Sequence, residues 1–360
     1  MGKDKRKIGL GLLYSRSGGY ALFSEACRSG ALAAIARVNA DPELDLALLP
    51  VERDPGGDVD RYAPLCEDLL RNTGARHIIG CVTSWSRKEV IPVLEKFGGT
   101  LWYALPYEGF EASDHVVYTH ACPNQHLLPL LDWALPAYGA RAYLTGSNYI
   151  WGWEMNRLAR ERIGTAGGEI VGERYLPLGS REVGRMVEEI RHSRPDFILN
   201  NLVGTSTYEF LSAMHRLRIG EPAFAEGRCP ILSCNLTEAE LPAIGAAAEG
   251  LVAAGPYFRA PGADEFRSSP EAAAHAAVME LSRLLHGRRG AEDMSLGALL
   301  QAAGRSAIDS VTHHTALPVI IAQVEGGVFR TIRALPAVAG DPYLTHTRRQ
   351  AAGPVLRVVS

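Results

Sequence analysis

The sequence predicts an α/β protein of two Rossmann-like lobes with a ligand cleft between them. Three observations point there. Short apolar runs alternate with helical patterns, the alternation restarts near residue 141, and no low-complexity linker or heptad run separates the two blocks. At 360 residues the chain is long enough for two ordinary domains and too long for one compact core.

In the first block, Ile8–Tyr14 is a strand-like run, and Phe23, Cys27, Ala31, Ala34 and Val38 then fall on one helical face. Leu44–Pro50 follows as a strand, and Val59–Thr73 as a helix with Asp58 as its N-cap. His77–Val82 and Thr100–Ala104 are strands on either side of a helix at Arg87–Phe97. The second block repeats the scheme. Its strands are expected at Arg141–Gly146, Glu169–Leu176, Phe197–Val203, Ile231–Cys234 and Leu251–Tyr257, and its helices at Glu154–Ala166, Ser180–His192 and Tyr208–Arg216. Helices at Glu271–Gly287 and Ser295–Ser306 come next, and a hairpin turns across Glu325-Gly326-Gly327.

Composition excludes several classes. A formal net charge of -3 gives no long-range pull toward nucleic acid or an anionic membrane, so no direct nucleic-acid or membrane partner is expected. No run approaches the roughly 18–20 apolar residues that span a bilayer. MGKDKRK leads directly into the first strand, without the apolar stretch of a secretory leader, which makes the cytoplasm the expected location. Six cysteines without CxxC or finger spacing read as buried free thiols, and no metal is expected. Nucleotide fingerprints and GxSxG are absent, and no Ser or Cys is spaced with a His as a nucleophile pair, so no cofactor and no catalytic residue is expected. His313-His314 points its two rings in different directions and reads as a surface or loop pair; His115, His120 and His126 read as structural.

In open α/β sheets ligands bind beyond the carboxyl ends of the strands. The segments there include Thr83–Ser86, Leu105–Tyr107, Asn148–Trp153 and Gly204–Thr207, which carry the candidates Thr83 and Thr205 and are rich in Ser, Thr, Tyr and Trp. One of Ser84 and Ser86 reads as an N-cap, at a helix start whose free N–H groups can also donate to a ligand oxygen. Tyr149, Trp151 and Trp153 crowd a glycine-punctuated polar loop, which suits a ligand wall better than a core.

Longer motifs carry a resemblance. Glu52-Arg53-Asp54-Pro55-Gly56-Gly57-Asp58, Gly80-Cys81-Val82-Thr83-Ser84-Trp85-Ser86, Ala104-Leu105-Pro106-Tyr107-Glu108-Gly109-Phe110-Glu111, Gly146-Ser147-Asn148-Tyr149-Ile150 and Gly255-Pro256-Tyr257-Phe258 resemble the AmiC-type amide sensors, in order along nearly the whole chain. These negative regulators of aliphatic amidase expression have the type I periplasmic-binding-protein fold and urea- and amide-binding relatives. The resemblance implies two lobes joined by three crossings, expected as 7–119 with 258–325 and 120–257 with 326–360. It also implies an amide-like ligand, an antiterminator (response-regulator-like) partner released on ligand binding, and a homo-oligomer. It assigns the pocket to Ser84, Tyr103, Tyr149 and Pro106. Val82, Leu105 and Trp151 stand where the family has tyrosine, threonine and tyrosine, so acetamide is expected to bind poorly and a bulkier, more apolar molecule better. The alternative is the substrate-binding component of an ABC transporter for urea, short amides or branched-chain amino acids.

Overall fold

The structure is a computed structural model that describes residues 5–345, apart from 112, 226, 261, 263 and 264. The first lobe is built by β1 (Arg6–Leu13), α1 (Ala21–Ala40), β2 (Leu46–Arg53), α2 (Tyr62–Asn72), β3 (His77–Gly80), α3 (Ser84–Phe97), β4 (Thr100–Tyr103) and β5 (Val116–Tyr118). The strands form a parallel sheet in the order β2-β1-β3-β4-β5. Every residue of β3, β4 and β5 is buried, as expected of parallel strands covered on both faces.

The second lobe contains α4 (Leu127–Tyr138), β6 (Arg141–Ser147), α5 (Ile150–Thr165), β7 (Glu169–Leu176), α6 (Gly184–Ser193), β8 (Phe197–Asn201), α7 (Thr205–Gly220), β9 (Ile231–Ser233), α8 (Leu241–Ile244) and β10 (Val252–Gly255). The chain then returns to the first lobe. There α9 (Ser269–Leu285) and α10 (Leu296–Ala303) join the core formed by the first sheet, with Ala274, Ala277, Val278 and Leu281 fully buried on it. β11 (Leu317–Glu325) and β12 (Val328–Val338) finish the second sheet, whose order is β12-β11-β10-β9-β8-β6-β7.

This return corrects one expected boundary. Residues 317–325 were assigned to the first lobe, but β11 runs antiparallel to β10, with Val252 opposite Gln323 and Gly255 opposite Ile320. Ile321, Ala322 and Val324 are buried in the cores flanking the second sheet, so apolar burial holds this strand there. The boundary falls in the segment between α10 and β11.

The crossings are tied to one another. His120 Nε2 lies 3.0 Å from Ser269 Oγ, and Tyr118 N–H donates to His313 O at 2.9 Å. The His313-His314 pair lies in the last crossing and is buried rather than at the surface. The His314 ring stacks on Tyr118 at 4.3 Å, an apolar contact that a sequence pattern does not reveal. All six cysteines are free and buried. No described helix is long and apolar enough to cross a membrane.

Candidate functional site

The carboxyl ends of both sheets face one cleft. α3 starts where β3 ends, and its first turn is fixed by a reciprocal cap. The Thr83 hydroxyl accepts from Ser86 N–H at 3.0 Å, and the Ser86 hydroxyl accepts from Thr83 N–H at 3.2 Å. Thr83 is therefore the N-cap, not Ser84 or Ser86, because the helix starts at Ser84, three residues before the expected Arg87. Ser84 is freed from capping. Its hydroxyl donates instead to Glu108 Oε2 at 2.6 Å.

A small inner chamber of about 40 Å³ lies between the lobes, and a vestibule of about 400 Å³ adjoins it. Val82, Thr83, Ser84, Tyr103, Leu105 and Pro106 line the chamber from the first lobe. Tyr149 and Trp151 close it from the second lobe, and Thr205 lies apart from them in the vestibule wall. The loop that groups the three aromatics splits them: Trp153 is exposed, with its indole donating to Asn148 at 3.0 Å. Tyr20, Phe23, Val203 and Asn235 also line the chamber; Tyr20 and Asn235 belong to Ser15–Tyr20 and Asn235–Glu238, two further segments that the sequence places beyond strand ends, whereas Phe23 and Val203 carry no site expectation. Three of these lie just beyond strands, whereas Phe23 lies on the helical face that sequence periodicity assigns to the core.

Among the described residues no charged side chain lines the chamber. Its polar lining is rich in donors. The Trp151 Nε1–H is buried without a partner, and neither the Tyr103 nor the Tyr149 hydroxyl has a hydrogen-bond partner among the described residues. Burial raises both phenols well above their ordinary range, so they are neutral and able to donate. His126 stands behind Trp151, 5.9 Å ring to ring; burial lowers it to about 4, so it is neutral.

Under the chamber floor lies an ion cluster that the sequence does not announce. Arg87 is fully buried; its Nη2 donates to Glu108 at 2.8 Å and its Nε to Glu111 at 2.7 Å. Its guanidinium carbon is 4.6 Å from the centre of the Tyr103 ring and 4.8 Å from that of Tyr107. Burial pushes Glu111 upward, but the Arg87 charge and hydrogen bonds from Arg87, Lys88 and Tyr118 outweigh it and hold the group at about 2. No described cluster of His, Cys, Asp or Glu is arranged to hold a metal ion.

Residues 8–279 match the family described as the periplasmic binding protein domain. The chain belongs to that family. Solved structures agree on the fold. A solute-binding protein of an ABC transporter from Rhodopseudomonas palustris HaA2, in complex with p-hydroxybenzoic acid, superposes with a TM-score of 0.79 at 20% identity, covering 95% of this chain and 100% of its own. One from R. palustris in complex with 4-hydroxybenzoate gives 0.76 at 20% identity, covering 92% and 97%. The branched-chain amino acid transporter substrate-binding protein LivJ from Streptococcus pneumoniae, in complex with isoleucine, gives 0.74 at 15%, covering 93% and 100%.

These findings correct the expected location. A periplasmic-binding-protein family and transporter solute-binding neighbours point to the periplasm, not the cytoplasm. The start of β1 at Arg6 does not decide the compartment. The solved structures named above are solute-binding proteins of transporters, and none of them is an AmiC-type regulator.

Proposed function

We propose that this chain is the solute-binding component of an ABC-type uptake system for a small, neutral, amide-like solute. The observation that carries the reading is the inner chamber. The indole N–H of Trp151 is buried without a partner, and among the described residues the hydroxyls of Tyr103 and Tyr149 have none and no cationic side chain lines the chamber to balance an anion. An unpaired buried donor such as the Trp151 N–H costs about 1–3 kcal/mol, and a ligand oxygen relieves that cost. The Ser84 and Trp85 backbone N–H groups at the start of α3 add donors at the junction with the vestibule.

Size supports a divided ligand. About 40 Å³ accommodates a polar head of a few atoms, since one water needs roughly 10–15 Å³ of such space. The Trp151 indole and Leu105 fill the chamber rather than widen it, so a larger body would extend into the vestibule. Acetamide would leave the vestibule empty; a branched or aromatic amide would not. Neighbours of this fold take hydroxybenzoates and isoleucine, so molecules of this size are within the range of the architecture. Control of an antiterminator, drawn from the resemblance alone, has no supporting observation in the cleft.

The test is a thermal-shift screen of acetamide, isobutyramide, benzamide and urea beside acetate, isobutyrate, benzoate and isoleucine. The proposal expects the largest rise in Tm with isobutyramide or benzamide, growing with concentration as mass action requires. A rise confined to the carboxylates or to isoleucine overturns the amide-like assignment. No rise with any of them overturns the reading of the cleft.

A further inference from the structure

We propose that Glu108, clamped by Arg87, is the specificity-determining residue of the chamber, because it decides which way the Ser84 hydroxyl points. This rests on the cleft being the solute site. Among the described residues, Ser84 is the only hydroxyl of the chamber with a carboxylate behind it, at 2.6 Å. The other oxygen of Glu108 accepts from Arg87 Nη2 at 2.8 Å, and the Glu108 side chain is 1% exposed, so water does not compete for it. An ionised carboxylate is acceptor-only. The Ser84 hydrogen is therefore spent on Glu108, and the Ser84 oxygen shows only lone pairs to the chamber.

A ligand atom facing Ser84 must then bring its own hydrogen. An amide N–H does so; a carboxylate oxygen does not, and would also meet a second anion behind the hydroxyl. Arg87 does not relieve this. It is absent from the chamber lining, its Nε and Nη2 are engaged by Glu111 and Glu108, and its Nη1, though without a partner, is buried beneath the floor and not in the chamber. Across the cluster, Arg87 and Lys88 balance Glu108 and Glu111, leaving no net positive charge under the floor. The donors of Trp151, Tyr103 and Tyr149 receive the ligand carbonyl, while Ser84 reads its N–H. Glu108 touches no ligand and acts through Ser84 alone.

The experiment is calorimetry on the full chain with two matched pairs, isobutyramide with isobutyrate and benzamide with benzoate. Wild type prefers the amide of each pair. In Glu108→Gln the side-chain amide donates to the Ser84 oxygen and releases the hydroxyl hydrogen toward the chamber, so the amide-over-acid preference falls by about tenfold or more, partly through tighter acid binding. Ser84→Ala, which leaves the Arg87 cluster whole, loses the preference as well and decides the case should Glu108→Gln fail to fold. Equal weakening of amide and acid in both variants, with the preference intact, overturns the role of Glu108 while the cleft reading stands. An acid preference in wild type also overturns it. No binding of any of the four overturns the cleft reading itself.

Discussion

Replacing Arg87 by Met removes the one cation that faces two buried carboxylates. Glu108 and Glu111 are 1% and 7% exposed, and Arg87 holds them at 2.8 and 2.7 Å. Breaking such a buried cluster by deleting one partner costs about 3–5 kcal/mol, because the remaining charges stay desolvated. The loss also has a pH signature. In wild type Glu111 sits at about 2 against an ordinary 4.5, so its contribution is fully present above 4.5 and fades as pH falls toward 2. Without Arg87, the burial that pushes Glu111 upward is opposed only by Lys88 and Tyr118. Arg87→Met therefore loses most stability near neutral pH and least near pH 4, where the Glu111 contribution of the wild type is already fading. Urea unfolding followed by circular dichroism at both pH values measures this. A loss under about 1 kcal/mol, or one equal at both pH values, refutes the claim that the cluster is a desolvated, charge-balanced unit.

Glu240 is buried with one oxygen unpaired and the other accepting from Tyr208 at 3.0 Å, and burial raises it to about 8. Its folded form keeps a proton that the unfolded chain releases above 4.5, so wild type loses up to about 1.4 kcal/mol per pH unit between pH 4.5 and 8 from this group. Glu240→Gln should flatten that slope in denaturant melts; an unchanged slope contradicts it. Across the cleft mouth, a Cβ on Gly204 would lie 2.9 Å from the Gly19 carbonyl oxygen, and its φ of 56° already disfavours a side chain. Gly204→Ala should weaken isobutyramide binding about fivefold to a hundredfold by holding the lobes apart, roughly 1–3 kcal/mol. Gly19→Ala, whose Cβ meets nothing, should bind as wild type in the same titration, and equal affinities for all three proteins would refute the contact. Trp151→Phe keeps an aromatic wall but removes the unpaired indole donor, and calorimetry should read an affinity loss of about three- to tenfold; undiminished affinity would show that the indole receives no ligand oxygen.

The alternation of strands and helices was legible because each strand of the parallel sheets is a short apolar run bounded by turn residues. Three elements escaped, among them the four-residue α8, too short to show a helical period. β5 is three residues long, too short for a pattern, and α4 (LLPLLDWALPAY) is apolar nearly all round with two prolines, so it shows no helical stripe. The placement of β11 was missed because strand pairing across a return crossing is a tertiary fact. The chamber residues were found because they follow strands or sit in motifs quoted from the resemblance. The ion cluster was not, since Arg87 and Glu108 lie 21 positions apart and neither has a pattern of its own. A separation of 24 positions likewise hid the bond from Ser84 to Glu108 that turns the Ser84 hydroxyl, which no residue near Ser84 supplies.

The measurement that bears most directly on the account is a crystal structure of the full chain with isobutyramide. The account predicts the amide head in the inner chamber, its N–H on the Ser84 oxygen and its carbonyl within hydrogen-bonding distance of Trp151 Nε1 or the Tyr103 and Tyr149 hydroxyls. Density for the ligand only in the vestibule or on the outer surface, with the chamber donors still unpaired, would contradict it.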